Sequence, residues 1–349
     1  VSSISPTIER QLFGLTADGR QVQLFTLCNT SGMQAKVTTY GATLTELTVP
    51  DRSGKFANVV LGFNNLDQYI NGHVYMGATI GPYAGRIANA NFTIDNNEYR
   101  VDANEGTSCL HSGETGFHRQ VWQAVPIESA KGPAIKFSLL RLDGIGGFPG
   151  NLQVDLTYTL SNDNQLLIEY VATCDQKTPV NLTHHSYFNL AGAGNGSILN
   201  HELTIDADCF LPVDQSLLPT GELLPVHGTP FDFHKPRSIG QHISNAGGYD
   251  HTFVINHRTK QSSAQAVVCD PASGRAMSLW TSEAGLQFYS GNFLDGSIAG
   301  NGGTYGKHAG FCLEAQNFPD ALNRKTFPDS ILLPGAVYKQ VTCCKFHHR

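Results

Sequence analysis

The sequence predicts an all-β protein, a large antiparallel β-sandwich, and three observations carry that reading. Short runs that alternate apolar and polar residues recur along the 349-residue chain. Turn-forming pairs separate these runs, and no stretch of about eleven residues or more holds a helical repeat.

Residues 22–27 and 34–40 open the series of strands. Residues 135–140, 153–160 and 166–173 follow, then 202–205, 252–256 and 264–269. Alternation of this kind buries one face of a strand and wets the other. Asp18-Gly19, Ser53-Gly54, Asp95-Asn96-Asn97, Asp163-Asn164 and Ser273-Gly274 supply residues that accept the tight backbone of turns. Only residues 65–70 suggest a short helical turn. Strands do not alternate with helices, which disfavours a doubly wound dinucleotide fold. Length alone allows two ordinary domains or one large all-β domain.

Charged residues make up 15%, well under the usual quarter, and the net charge is −6. With no basic run, a nucleic-acid or anionic-membrane surface is not expected. No apolar stretch approaches a membrane span, and residues 1–20 lack the apolar run of a signal peptide. The eight cysteines show neither CxxC nor zinc-like spacing and read as small buried residues, with Cys343 and Cys344 as candidate exposed thiols. Sequons at Asn29, Asn91, Asn181 and Asn195 lean weakly towards an extracellular protein. The glycine clusters at 144–150 and 192–196 read as loops, because neither follows a strand and opens a helix. Walker A, HExxH and GxSxG sequences are absent, and His347–His348 read as an exposed tail.

Four segments place proton-handling groups in otherwise apolar surroundings. As a strand, residues 181–190 would put Asn181, Thr183, His185, Tyr187 and Asn189 on one face, with His184 on the more apolar side. From pattern alone, a core histidine bonded to backbone beside a surface histidine is the plainer reading of the pair. In residues 311–316, Cys312, Glu314 and Gln316 share a face. Burial of that glutamate would raise its pKa towards a useful base. The plainer reading is a salt bridge from Glu314 to Arg86 or Arg324. His111 sits in a Ser/Gly-rich turn and Asp250 leads into a strand, both compatible with simple turn chemistry. Arg86 and Gln287 complete the polar set and read blandly as strand-end residues.

The segments NLTHHSYFNL (181–190), SCLHSG (108–113), YDHTF (249–253), QFYSGNFLDG (287–296) and GFCLEAQNFPDALN (310–323) resemble the signatures of the galactose mutarotase (aldose 1-epimerase) family. GATLTELTVPDRSGK (41–55), LPVDQSLLPTGE (211–222) and LLPGAVY (332–338) extend the resemblance over essentially the whole chain. It implies a single domain over residues 1–349, folded as a galactose mutarotase-like supersandwich with a sugar cleft on one face. It also implies a cofactor-free and metal-free enzyme that interconverts the α and β anomers of free hexoses such as galactose and glucose. Position by position, the catalytic base matches Glu314, the general acid His185 as imidazolium, and the second histidine His111. Contacts to sugar hydroxyls match Arg86, Asp250 and Gln287. Gly85 departs from the family, which usually has asparagine before that arginine, so one side-chain contact to the sugar is lost.

A family protein of this kind would be a cytoplasmic monomer whose partner is a small sugar. Three rival readings remain at this point. A glycoside hydrolase would need two carboxylates, Asp250 and Glu314, and leaves both histidines unexplained. A non-catalytic sugar-binding protein can share the fold. A hexose-6-phosphate epimerase should show additional basic residues along the cleft.

Overall fold

The computed structural model describes residues 5–72, 74–256 and 263–349. Its largest layer is a nine-stranded antiparallel sheet. From one edge the strands are Gln123–Ile127, Ala134–Arg141, Leu152–Leu160, Gln165–Cys174 and Tyr338–His348, then Arg275–Thr281, Ala266–Cys269, Glu202–Ile205 and Arg237–Ser238. A five-stranded meander runs in chain order through Thr7–Leu15, Gln21–Cys28, Gln34–Thr38, Thr43–Pro50 and Phe56–Asn58. A third sheet, called here the cleft sheet, has the order Leu224–Pro225, Cys209–Phe210, Asp250–Val254, Gly285–Tyr289 and Cys312–Gln316.

One apolar cluster joins all three sheets. Phe25 and Leu44 come from the meander, Phe137, Leu156, Ile168 and Met277 from the large sheet, and Phe253, Phe288 and Leu313 from the cleft sheet. Burying each such side chain stabilises the fold by about 1.5–3 kcal/mol. Facing layers with alternating inward residues make this the expected sandwich.

Most expected strands are present within a residue or two. The one expected over 252–256 begins at Asp250 and ends at Val254. The short helix is Leu66–Asn71, capped by Asn65, whose side chain accepts the Gln68 N–H at 3.0 Å. The central strand Tyr338–His348 has no clear apolar alternation because its inward residues are Gln340, Thr342, Cys344 and Phe346. Gln340 is tolerated there because its amide donates to the Ala315 carbonyl at 2.9 Å. Arg275–Thr281 is buried almost throughout, so period-two alternation is absent.

Several sequence expectations are corrected. Cys344 is buried and Cys343 half-buried, and all eight cysteines are free. His347 is not a loose tail residue: it lies in the last strand with Nε2 3.0 Å from Ser278 Oγ. The sequon residues Asn29 and Asn181 are fully buried, which removes two of the four sites from consideration. Among the described residues no helix is long and apolar enough to cross a membrane.

Residues 181–190 form no continuous strand. Only Thr183–His184 pairs, with Thr79–Ile80, and the rest threads between sheets through isolated bridges to Tyr83, Val60 and Phe311. The buried Asn181, Thr183 and Asn189 satisfy backbone groups of neighbouring segments. Asn181 bonds the Ala84 carbonyl and the Asn317 N–H, Thr183 the Ala315 carbonyl, and Asn189 the Ala309 carbonyl. These bonds tie the segment carrying His185 to the strand carrying Glu314.

Candidate active site

Pairing register sets the first row of the site. Thr252 lies opposite Gln287, and Gln287 opposite Glu314, so three neighbouring strands of the cleft sheet present polar side chains in one line. Their sequence neighbours Phe253, Leu286, Phe288, Leu313 and Ala315 point the other way, into the shared core. Thr252 Oγ1 donates to Gln287 Oε1 at 2.5 Å, and Gln287 Nε2 donates to Asp250 Oδ1 at 2.7 Å. This chain fixes the amide of Gln287 and orients the Asp250 carboxylate.

A two-residue ladder supplies the opposite wall. Arg86–Ile87 pairs with Cys109–Leu110, and the next pair is stitched twice. The His111 N–H donates to the Gly85 carbonyl, and the Gly85 N–H donates to His111 Nδ1, each at 3.1 Å. Asn104 locks the turn by bonding both the N–H and the carbonyl of Leu110. Arg86 is held in a two-pronged bridge by Glu105, at 2.6 and 2.9 Å. Burial opposes the charge of Arg86, but Glu105, Asp250 and Glu314 outweigh it and raise its pKa.

His185 and Glu314 meet where these walls converge. Their Nε2 and Oε2 atoms are 3.7 Å apart, and both side chains are nearly fully buried. Glu314 Oε2 has no hydrogen-bond partner. The salt bridge considered for it is not formed, since Arg86 pairs with Glu105 and Arg324 with Asp320. Burial, reinforced by Asp250 and opposed by Arg86, lifts the Glu314 pKa well above its ordinary value. Burial also pushes His185 down to about 4 and holds His111 well below its usual range. Burial therefore favours the neutral ring at His185 over the imidazolium expected there. His184 is half-buried on the more apolar side, as expected, with its ring edge-on to Tyr158 and centroids 5.7 Å apart.

All seven residues singled out in the sequence, Gly85, Arg86, His111, His185, Asp250, Gln287 and Glu314, line one cavity of about 220 Å³. That is below the roughly 300–1,000 Å³ of drug-sized sites and suits one small polar molecule. Glu105 and Tyr75 escaped the sequence reading. Tyr75 sits at φ 57° and packs its ring against His111, His118 and His185. Nothing in its glycine-flanked loop marks it, whereas a glutamate six residues before His111 in so weakly charged a chain was a usable signal for Glu105.

His111, His185 and Glu314 place ligand-type atoms within 4.8 Å of one another, a spacing that a divalent ion can bridge. The hydrogen bonding of His111 argues against that use. Its Nδ1 lone pair is taken by the Gly85 N–H, so the neutral ring carries its proton on Nε2 and offers the cleft a donor. Position 85 thus acts through its backbone. Its φ of 78° and the approach of Pro319, 3.0 Å from where a Cβ would stand, both suit glycine. Gly85→Ala is expected to cost about 1–2 kcal/mol from the backbone term alone. The same change should raise KM by shifting His111. Denaturant melts and steady-state kinetics check both effects, and an unchanged midpoint contradicts the strain.

Raising a carboxyl pKa by burial means that ionising it opposes folding. For Glu314 this cost is absent below its ordinary value of 4.5, grows as pH climbs towards the folded-state value, and persists above it. Glu314→Gln should therefore melt at a higher temperature than the wild type near pH 8. The gap should close towards about pH 4. Equal melting at the higher pH contradicts this.

Residues 23–344 match the family model described as aldose 1-epimerase. The chain belongs to the aldose 1-epimerase family. It is 44% identical to the galactose mutarotase of Homo sapiens, across 97% of this chain and 98% of that protein. It is 35% identical to the aldose 1-epimerase of Escherichia coli K12, across 95% and 97%. Among solved structures it resembles an aldose epimerase homologue from C. elegans, with a TM-score of 0.86, 30% identity and 99% of both chains covered. The galactose 1-epimerase of Lactobacillus acidophilus NCFM gives a TM-score of 0.87 at 28% identity, again over 99% of both chains. The all-β reading and the aldose 1-epimerase resemblance drawn from the sequence both hold.

Proposed function

We propose that this chain interconverts the α and β anomers of free hexoses such as D-galactose and D-glucose, with Glu314 as base and His185 as acid. One observation carries the assignment of roles. Glu314 presents a buried, unpartnered carboxylate oxygen 3.7 Å from a buried imidazole nitrogen, inside a cavity of monosaccharide scale. The anomeric end of the sugar sits between these two groups. Arg86, Asp250 and Gln287 hold the distal hydroxyls, so only the anomeric end is free to turn.

Opening the ring moves two protons. Glu314 removes the proton from the anomeric hydroxyl while His185 delivers its Nε2 proton to the ring oxygen. The carbon–oxygen bond of the ring breaks and the aldehyde forms. His111 donates its Nε2–H near the ring oxygen and stabilises the charge developing there. Rotation beside the former anomeric carbon exposes the other face of the aldehyde. The ring oxygen then attacks that face, with His185 taking its proton back and Glu314 returning its own. The pair begins as carboxylate and imidazolium and becomes carboxylic acid and neutral imidazole when the ring opens. Burial favours that neutral pair, so the dry site stabilises the open-chain sugar against the closed one. Arg86 favours the carboxylate and keeps the opposite state within reach. The continuous core and the near full-length family match support the reading of residues 1–349 as one catalytic domain.

Lining charges weigh against a phosphorylated substrate. Among the described residues Arg86 is the cleft's one lysine or arginine, already bridged by Glu105, and Asp250 and Glu314 add negative charge. A glycoside hydrolase reading leaves the His185–Glu314 pairing without a role. Polarimetry on freshly dissolved α-D-galactose and α-D-glucose tests the proposal. A faster approach to the equilibrium rotation supports it. Binding without acceleration points to a sugar-binding protein, and activity confined to hexose 6-phosphates to the phosphosugar reading.

A further inference from the structure

Glu105 is held by its own turn before it meets anything else. Its N–H donates to the Ser108 carbonyl at 3.1 Å, and its carbonyl accepts the Ser108 N–H at 2.9 Å. From that fixed backbone its carboxylate accepts from Arg86 Nε at 2.6 Å and from Nη2 at 2.9 Å. This is an edge of the guanidinium that grips a carboxylate with two parallel bonds. Among the described residues no partner is found for Arg86 Nη1, so that nitrogen is left to the cleft. We infer that Glu105 is a specificity residue. By occupying the two-pronged edge of Arg86, it admits hexoses whose distal end is neutral and excludes uronates, which carry a carboxylate there.

Exposure orders these groups along the cleft. The side chain of Glu105 is 41% exposed and that of Arg86 11%, against 6% and 4% for His185 and Glu314. The bridge thus lies towards the mouth and the proton-transfer pair at the floor. A hexose with its anomeric carbon at Glu314 turns its far end towards Arg86. A hydroxyl there needs one donor, and Nη1 supplies it. A carboxylate there is served best by the edge that Glu105 already holds. It would also meet Glu105, Asp250 and Glu314, three acidic groups gathered around one arginine. Gly85, beside that arginine, has no side chain to offer a donor in its place. A bridge that served the fold alone would treat neutral and anionic sugars alike.

This inference rests on the hexose reading and its placing of the distal hydroxyls at Arg86, and a binding test separates it from the proton-transfer roles. The wild type, Glu105→Ala, Glu105→Gln and Glu114→Gln are titrated calorimetrically with D-galactose and D-galacturonate. At about pH 7 the uronate is ionised, and no turnover is needed. The readout is the ratio of the two dissociation constants. In the wild type galacturonate should bind at least about tenfold more weakly than galactose, the scale of one charge-assisted hydrogen bond. Glu105→Ala frees the edge and should shift the ratio towards galacturonate by about tenfold or more. Glu105→Gln removes the charge but keeps the volume, so it should shift the ratio the same way by less, and it decides the matter if the alanine variant does not fold. Glu114→Gln removes a carboxylate bridged to Arg119 in the neighbouring cavity and should leave the ratio unchanged. An unmoved ratio in the folded Glu105 variants overturns the inference, as does an equal shift in Glu114→Gln, which net charge alone would explain. Equal binding of the two sugars by the wild type overturns it as well. A wild type that binds neither sugar overturns the hexose reading and this inference together. The expected ratios in a protein that does not turn galactose over support the inference and overturn only the catalytic roles.

Discussion

Glu314→Gln is expected to lower kcat by about three orders of magnitude while leaving KM within a few-fold, measured by polarimetry at saturating galactose. A general base contributes roughly 10²–10⁴-fold. Here the effect should lie high in that range, because no second carboxylate is free to take over. The nearest alternative, Asp250, is held by Gln287 and faces Arg86. Glutamine keeps the volume of the side chain and its place in the row with Gln287 and Thr252. Sugar binding should survive for that reason, since Arg86, Asp250 and Gln287 are untouched. The same substitution is expected to stabilise the fold near neutral pH. Lower activity and higher stability from one change is the mark of a side chain kept for chemistry at a cost to folding.

His185→Gln is expected to cost about 10²–10³ in kcat, again with a modest change in KM. Its effect should be smaller than that of Glu314→Gln, because His111 still offers an Nε2–H to the ring oxygen and retains part of the charge stabilisation. Steady-state polarimetry of both variants checks the ranking. A near-normal rate in His185→Gln contradicts the acid role of His185. His111→Gln then becomes the decisive variant.

Much of the fold was legible because period-two alternation follows directly from burial on one face. The reading failed where that condition fails. Tyr338–His348 turns Gln340 and Thr342 inward, and Arg275–Thr281 is buried on both faces, so neither alternates in the simple way. The seven site residues were legible mainly through the family resemblance. Alternation alone put Asn181, Thr183 and Asn189 beside His185 on a polar face, yet these three bond backbone groups in the interior. Their amides and hydroxyls serve long-range connections that no local pattern encodes. Glu105 and Tyr75 act across loops, where neither spacing nor period says what a side chain will reach. Gly85 read only as a missing side chain, and what no side chain at that position reveals is its backbone N–H donating to His111 Nδ1.

The central claim is that a buried carboxylate and a buried imidazole pass protons across one anomeric carbon. Polarimetric kcat/KM on galactose, followed from about pH 4 to 9 for the wild type, tests it most directly. Catalysis needs Glu314 ionised and His185 protonated, while burial lifts Glu314 well above 4.5 and lowers His185 to about 4. The rate should therefore hold level between those two values and fall on the alkaline side, once pH passes the Glu314 value. A wild-type rate that stays flat up to about pH 9 would contradict this pairing of Glu314 as base with an imidazolium at His185.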